Sequence, residues 1–216
     1  LIHNFGTMTN PLHAGLSARD GVMAAQLAKE GWTAGERILE DPLGFITTVY
    51  GEDKAKPDEL VKGLGKPFKA HSSIIIKKYP CCGGNHSMLD SLLGLMREHK
   101  FGERDVERVE VDQSYLSVVL LYREPKEGLN GKFSILYNTA AALVDGKVEI
   151  DSYTDAKVRE QRIVDAMKKV ELVTMPKWSE GSEAITSGTP VRVYLKDGRM
   201  LTHSTARKDI LGSPFN

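Results

Sequence analysis

The 216-residue chain carries 29 Lys+Arg and 29 Asp+Glu, so its formal net charge is zero, with 41% hydrophobic and 27% charged residues. That length can bury the core of one medium domain or two small ones, and the neutral balance argues against a dedicated nucleic-acid binder, which shows a basic face. No apolar run approaches the roughly 20 residues of a membrane span.

The opening "LIHNFGTMTN" lacks an initiator Met, a basic n-region and an apolar h-region, as expected of a chain that begins inside a longer protein. "PLHAGLSARDGVMAAQLAKEG" then predicts a helix of about five turns, with Pro11 at its first position and Gly31 as its stop. Leu12, Leu16, Val22, Ala25 and Leu27 give it an apolar side, and its small residues suggest close packing against other helices. Shorter helical pieces are expected in "AGERILED" and in "PLGFITTVYG". Residues 51–66, "GEDKAKPDELVKGLGK", are polar and rich in Lys, Gly and Asp, and place a domain boundary near their end.

Beyond that point the pattern changes. "SSIIIKKY" predicts a β-branched strand, "SMLDSLLGLMREHK" an amphipathic helix and "VERVEVDQ" a half-buried strand. "SILYNTAAALVDG" predicts an apolar helix stopped by Gly146, and "DAKVREQRIVDAMKKV" one charged amphipathic helix. "ELVTM", "PVRVYLKDG" and "RMLTHST" follow as strands, the last two joined by a Lys-Asp-Gly hairpin turn. Strands mixed with helices that do not alternate with them predict an α+β fold.

Three polar loops lead into helices and carry the chemical signals. "YPCCGGNHSMLD" sets Pro80, Cys81, Cys82, two glycines, Asn85 and His86 before a helix. Zinc knuckles separate their cysteines by two or more residues so that both thiolates face one ion, whereas Cys81 and Cys82 are adjacent. No metal is expected, and two free thiols point to a reducing cytoplasm. The loop also lacks the Lys-Ser/Thr of a P-loop and a three-glycine dinucleotide fingerprint. It can present Asn85 and His86 at a helix N-terminus able to hold a carboxylate, with the Cys82 thiol lining the pocket. It can equally be a capped turn with a buried, satisfied histidine. "GTMTNPLHAG" offers Thr7, Thr9 and Asn10 ahead of a first turn carrying His13, or simply a capped helix. "GKFS" adds Lys132 and Ser134 to a third helix start.

"GTMTNPLHAGLSARDGVMAAQLAKEGWTAGERILEDPLGF", "KKYPCCGGNHSMLDSLL" and "GLNGKFSILYNTAAALVDG", taken in order, resemble the MmgE/PrpD family, with "TARKDILGSPFN" matching the segment that leads back to its last helices. That family includes 2-methylcitrate dehydratases, cis-aconitate decarboxylases and iminodisuccinate epimerases. The resemblance implies the C-terminal half of a protein about twice this long. Residues 1–65 would be part of an all-helical domain, 66–207 an α+β lid domain with a mostly antiparallel sheet, and 208–216 a segment returning to the helical domain.

The implied activity is a cofactor-independent lyase or isomerase, dehydratase-like, that abstracts a proton beside a carboxylate of a small di- or tricarboxylate. His86, Lys132 and His13 would serve the chemistry. Thr7, Thr9, Asn10, Cys82, Asn85 and Ser134 would bind substrate. The implied assembly is a homodimer, with the missing helical half in the full-length protein or a partner chain. One departure stands out: cis-aconitate decarboxylases carry a Lys where this chain has Asn10, and an amide supplies neither a cation nor an amine base. The alternative is a non-catalytic fragment or subunit that binds or assembles without turnover by itself.

Overall fold

The structure, a computed structural model, describes residues 2–54, 56–66, 68, 76–114, 121–175 and 189–205. The chain forms two compact units, one of Leu1–Asn10 with Ile75–Gly212 and the other of Pro11–Ile74 with Ser213–Asn216. The fold is α+β, as the pattern of elements predicts.

Helix α1 (Thr9–Lys29), which lies in the second unit from Pro11 onward, starts before that proline, because the Thr7 hydroxyl accepts the Thr9 N–H and opens the helix two residues early. None of its residues is buried, and Leu12, Val22 and Leu27 are exposed, so the close packing expected of it is not seen among the described residues. The segment "AGERILED" is a series of turns rather than a helix. The N–H groups of Phe45 and Ile46 bond back to the carbonyls of Ile38 and Leu39, which takes those acceptors out of any helical ladder. Short helices α2 (Phe45–Tyr50) and α3 (Pro57–Val61) follow. The first half of the predicted strand "SSIIIKKY" lies outside the described residues, and its second half, from Ile76, has no regular structure. The segment "TARKDILGSPFN" beyond Thr205 also lies outside them.

The first unit holds a four-stranded sheet in the order β2-β1-β3-β4, made of β1 (Val106–Ser114), β2 (Val170–Met175), β3 (Val191–Leu195) and β4 (Met200–His203). The β3–β4 hairpin forms as predicted, its turn closed by Gly198 at φ +89. The sheet is mixed: β1 pairs antiparallel with β3 but parallel with β2. A crossover through helices separates β1 from β2 in the chain, and a crossover of that length is what brings strands together in parallel.

Alternation along the strands divides the two faces. Val109, Val111, Val191, Val193 and Leu195 are buried together with Met88, Leu89, Leu92 and Leu95 of α4 (His86–His99) and Ile135, Ala140 and Leu143 of α6 (Ile135–Asp145). Helix α5 (Gly128–Gly131) is one turn ahead of α6. The predicted helix over 155–170 breaks into α7 (Asp155–Val158) and α8 (Gln161–Met167). Thr154 caps the first by accepting the Lys157 N–H, and Glu160 is extended, which ends one helix and opens the next. Among the described residues no helix is long and apolar enough to cross a membrane.

The opposite face of the sheet carries charge. Arg192 bonds Glu110 and Asp112, and Arg108 also reaches Glu110 while stacking over the Tyr194 ring. The bond from Arg192, then that from Arg108, holds the Glu110 carboxyl below its ordinary range. A carboxyl depressed on folding stabilises the fold above its unfolded value, and that stabilisation is lost as pH falls through the folded value. We expect Arg192→Met to melt lower than wild type at pH 6, with the gap shrinking as pH falls below about 4.5. Thermal melts from pH 2 to 7 check this, and a gap that stays constant with pH would exclude the electrostatic account.

Candidate active site

The loop "YPCCGGNH" folds as a 3-10 turn, Gly83–Asn85, running directly into α4. It is pinned from outside: the Cys82 N–H and the Asn85 side-chain amide both donate to the Lys132 carbonyl, at 3.0 and 3.2 Å. The Lys77 ammonium donates to the Cys81 carbonyl at 3.1 Å. His86 is the first residue of α4 and is 0% exposed, yet neither ring nitrogen has a hydrogen-bond partner in the described structure. The Asn85 Oδ1 beside it is equally buried and unpaired. Buried polar atoms in folded proteins nearly always find partners, so three such atoms in two adjacent residues single this place out.

Burial first, then the positive charge of Lys77, lowers the imidazole's affinity for a proton, so the ring is neutral at pH 7. The carbonyls of Cys81 and Tyr79 oppose this slightly, although their geometry falls short of a hydrogen bond. The Tyr79 ring meets His86 edge to face, with centroids 5.3 Å apart at 90°. Cys81 and Cys82 are both free thiols, and burial pushes the Cys81 thiol up to about 11. A thiol so rarely ionised is a poor nucleophile. Among the described residues no three His, Cys, Asp or Glu side chains gather as metal ligands.

The second predicted loop is built differently from expectation. Lys132 does not open α6; it ends the single turn of α5, half-buried, with its ammonium 5.5 Å from the centroid of the Tyr153 ring. Ser134 caps α6 by accepting the Tyr137 N–H at 3.2 Å. Beneath the turn, the Asn138 amide donates to the carbonyls of Gly131 and Ser134, at 2.9 and 2.7 Å, and accepts the Tyr153 hydroxyl. Asn138 and Tyr153 were absent from the predicted site. An amide inside the apolar run "ILYNTAAAL" was the available signal, because a buried amide demands partners.

The third loop docks on the second. Phe5 packs on Phe133 with ring centroids 5.5 Å apart, and the Gly6 carbonyl accepts the Asn130 amide at 2.8 Å. The Tyr122 hydroxyl donates to the Phe5 carbonyl at 2.8 Å. Gly6 needs its positive φ of +80, and a Cβ there would stand 2.5 Å from the Tyr122 ring. The Thr7 hydroxyl donates to the Asn4 carbonyl and accepts the Thr9 N–H, while Thr9 and Asn10 are half-buried in the first turn of α1. Contacts thus run from Asn85 and Cys82 to Lys132, and from the 130–133 turn to residues 5 and 6. His13 belongs to the other unit and is exposed on α1.

Chemically, this region offers a neutral imidazole, the ammonium groups of Lys77 and Lys132, and the N-terminus of a 14-residue helix. Such a set can take a proton from carbon and meet the negative charge that appears on a carboxylate oxygen.

Residues 79–214 match the MmgE/PrpD C-terminal domain. Over 219 aligned positions the chain is 24% identical to cis-aconitate decarboxylase of Aspergillus terreus, an alignment covering 94% of this chain and 44% of that protein. The human cis-aconitate decarboxylase is 24% identical over 208 positions, covering 92% of this chain and 41% of that protein. The cis-aconitate decarboxylase-like protein oryM of Aspergillus oryzae is 25% identical over 162 positions, 68% of this chain and 33% of its own length. The chain therefore spans less than half the length of these curated relatives.

Proposed function

The chain belongs to the MmgE/PrpD family, and we propose that the full-length protein is a cofactor-independent lyase or isomerase acting on a small di- or tricarboxylate. The observation that carries this reading is His86: a neutral, wholly buried imidazole whose nitrogens, like the neighbouring Asn85 oxygen, have no partner among the described residues. A neutral imidazole in a water-poor setting is a competent base for the acidic C–H beside a carboxylate. The proton passes to a ring nitrogen, and the electron pair left behind spreads onto the carboxylate as an enediolate. Lys132 and the positive end of the α4 dipole are the charges available to meet it.

Returning the proton to a departing hydroxyl releases water. Delivery of a proton to carbon from the opposite face, by a second acid, inverts a centre while the imidazolium gives its own proton up to solvent. Decarboxylation needs no C–H abstraction: loss of CO2 itself leaves the electron pair, and the proton that ends on carbon comes from a protonated group or water at the site. Two of the relatives named above are cis-aconitate decarboxylases, but Asn10 supplies no cation where decarboxylases of the family carry a Lys. We therefore favour dehydration or epimerisation over decarboxylation.

The test is an assay of the full-length protein, without added nucleotide or metal, on cis-aconitate and on a hydroxylated tricarboxylate such as 2-methylcitrate, with products followed by NMR. We expect turnover of the hydroxylated acid to exceed that of cis-aconitate. Faster release of CO2 from cis-aconitate would overturn the preference. No turnover of any small di- or tricarboxylate would leave the alternative, a subunit that binds or assembles without catalysis.

A further inference from the structure

His86 is enclosed, and one side of the enclosure is Tyr79, whose ring stands edge-on to the imidazole at 5.3 Å. Tyr79 is itself buried and is not free to swing, because its hydroxyl donates to Oδ1 of Asp90. Asp90 lies four residues after His86, one turn along the same side of α4. Its side chain is only 13% exposed, and the same oxygen also takes the ammonium of Lys78. One carboxylate thus holds two consecutive residues of the approach to the loop. The Lys77 ammonium, bonded to the Cys81 carbonyl, closes that approach on itself. A lone surface ion pair contributes little, but an oxygen shared by a buried phenol and an ammonium fixes a position.

We infer that Asp90 is a positioning residue for His86: through Tyr79 and Lys78 it holds the Lys77–Cys81 strap against the imidazole, setting the ring's orientation and controlling what reaches its nitrogens. For catalysis this rests on the reading of His86 given above. As a statement about the ring itself it stands on the geometry alone. Substrate contact then requires the strap to open, and Asp90 is the latch that opening must break.

The experiment compares wild-type full-length protein with Tyr79→Phe, Asp90→Asn and Asp90→Ala. Tyr79→Phe keeps the aromatic wall and removes the latch. Asp90→Asn keeps an acceptor for the phenol and removes the charge that holds Lys78. Two readouts follow His86 itself: its rate of carbethoxylation by diethyl pyrocarbonate, resolved by peptide mass spectrometry, and its titration by NMR, assigned with His86→Gln.

The groups that set that titration are Lys77, which opposes protonation, the Asp90 charge, which favours it, and the carbonyls of Cys81 and Tyr79. Tyr79→Phe changes no charge at neutral pH, so a rise toward the ordinary histidine value reports entry of water alone. We expect that rise, with carbethoxylation about tenfold faster in Tyr79→Phe and Asp90→Ala and a smaller change in Asp90→Asn. In turnover, kcat falls about tenfold with KM within twofold of wild type, the mark of a misplaced group rather than a lost contact. Unchanged titration and carbethoxylation in both Tyr79→Phe and Asp90→Ala would overturn the inference. Altered ring behaviour with unaltered kcat would uphold the latch and overturn the use of His86 in turnover, so the two failures are told apart.

Discussion

In the full-length protein, His86→Met is expected to lower turnover by roughly 100- to 10,000-fold while leaving the melting temperature unchanged or higher. A fully buried imidazole with two unpaired nitrogens costs the fold about 1–3 kcal/mol of uncompensated desolvation. Methionine fills similar space with an adaptable, essentially apolar chain. A histidine kept for structure gives the reverse pattern, with stability lost first and activity following it. The pH dependence adds a second check. Burial and Lys77 lower the folded proton affinity of His86, so protons bind the unfolded chain more readily. The stabilisation tied to the neutral ring is full above about pH 6.5 and is lost as pH falls below it. The stability difference between His86→Met and wild type should therefore move in the variant's favour as pH drops through that value. Parallel losses of kcat and melting temperature at pH 7.5 would return His86 to a structural role.

Gly128→Ala should be the most damaging single-methyl change in the first unit. A Cβ at Gly128 would stand 1.7 Å from the Tyr153 carbonyl oxygen and 2.6 Å from its carbon. These are backbone atoms, so no rotamer change relieves the clash. The turn must shift, straining the bond from the Gly128 N–H to Asp155 and displacing Lys132, whose carbonyl holds Cys82 and Asn85. We expect a loss of about 3 kcal/mol or more, a drop of about 6–12 °C in melting temperature. Two neighbours calibrate it by differential scanning calorimetry. At Gly131 the atoms nearest an added Cβ belong to the Tyr137 and Val158 side chains, at 3.1 Å, so Gly131→Ala should cost less than half as much. Gly94→Ala meets nothing within 4 Å inside α4, and should stabilise by about 0.5–1 kcal/mol because alanine is the better helix former. A Gly128→Ala protein melting within 1 °C of wild type would refute the account of this turn.

The sequence by itself determined the elements whose cause is local. The alternation of "VERVEVDQ" and "PVRVYLKDG", the Lys-Asp-Gly turn and the Gly146 stop each act within a few residues, and β1, the β3–β4 hairpin and α6 appear where they place them. The order of the loop blocks also placed the chain in its family. The charge pattern of 155–170 reads as one helix, and only the Thr154 cap with the extended Glu160 splits it. The parallel pairing of β1 with β2 depends on a crossover that no local pattern reveals.

The site divides in the same way. His86, Asn85 and Lys132 were legible as residue types beside helix starts. That Lys132 binds the loop through its backbone carbonyl, across 47 residues, was not. Nor were the Asp90 latch on Tyr79 or the Asn138–Tyr153 pair. Each is a hydrogen bond between groups brought together by packing, and a buried donor takes whichever acceptor the fold sets within reach. Local propensity names the residues able to do chemistry; long-range packing decides which of them are left unpaired, and among the described residues the His86 ring nitrogens are so left.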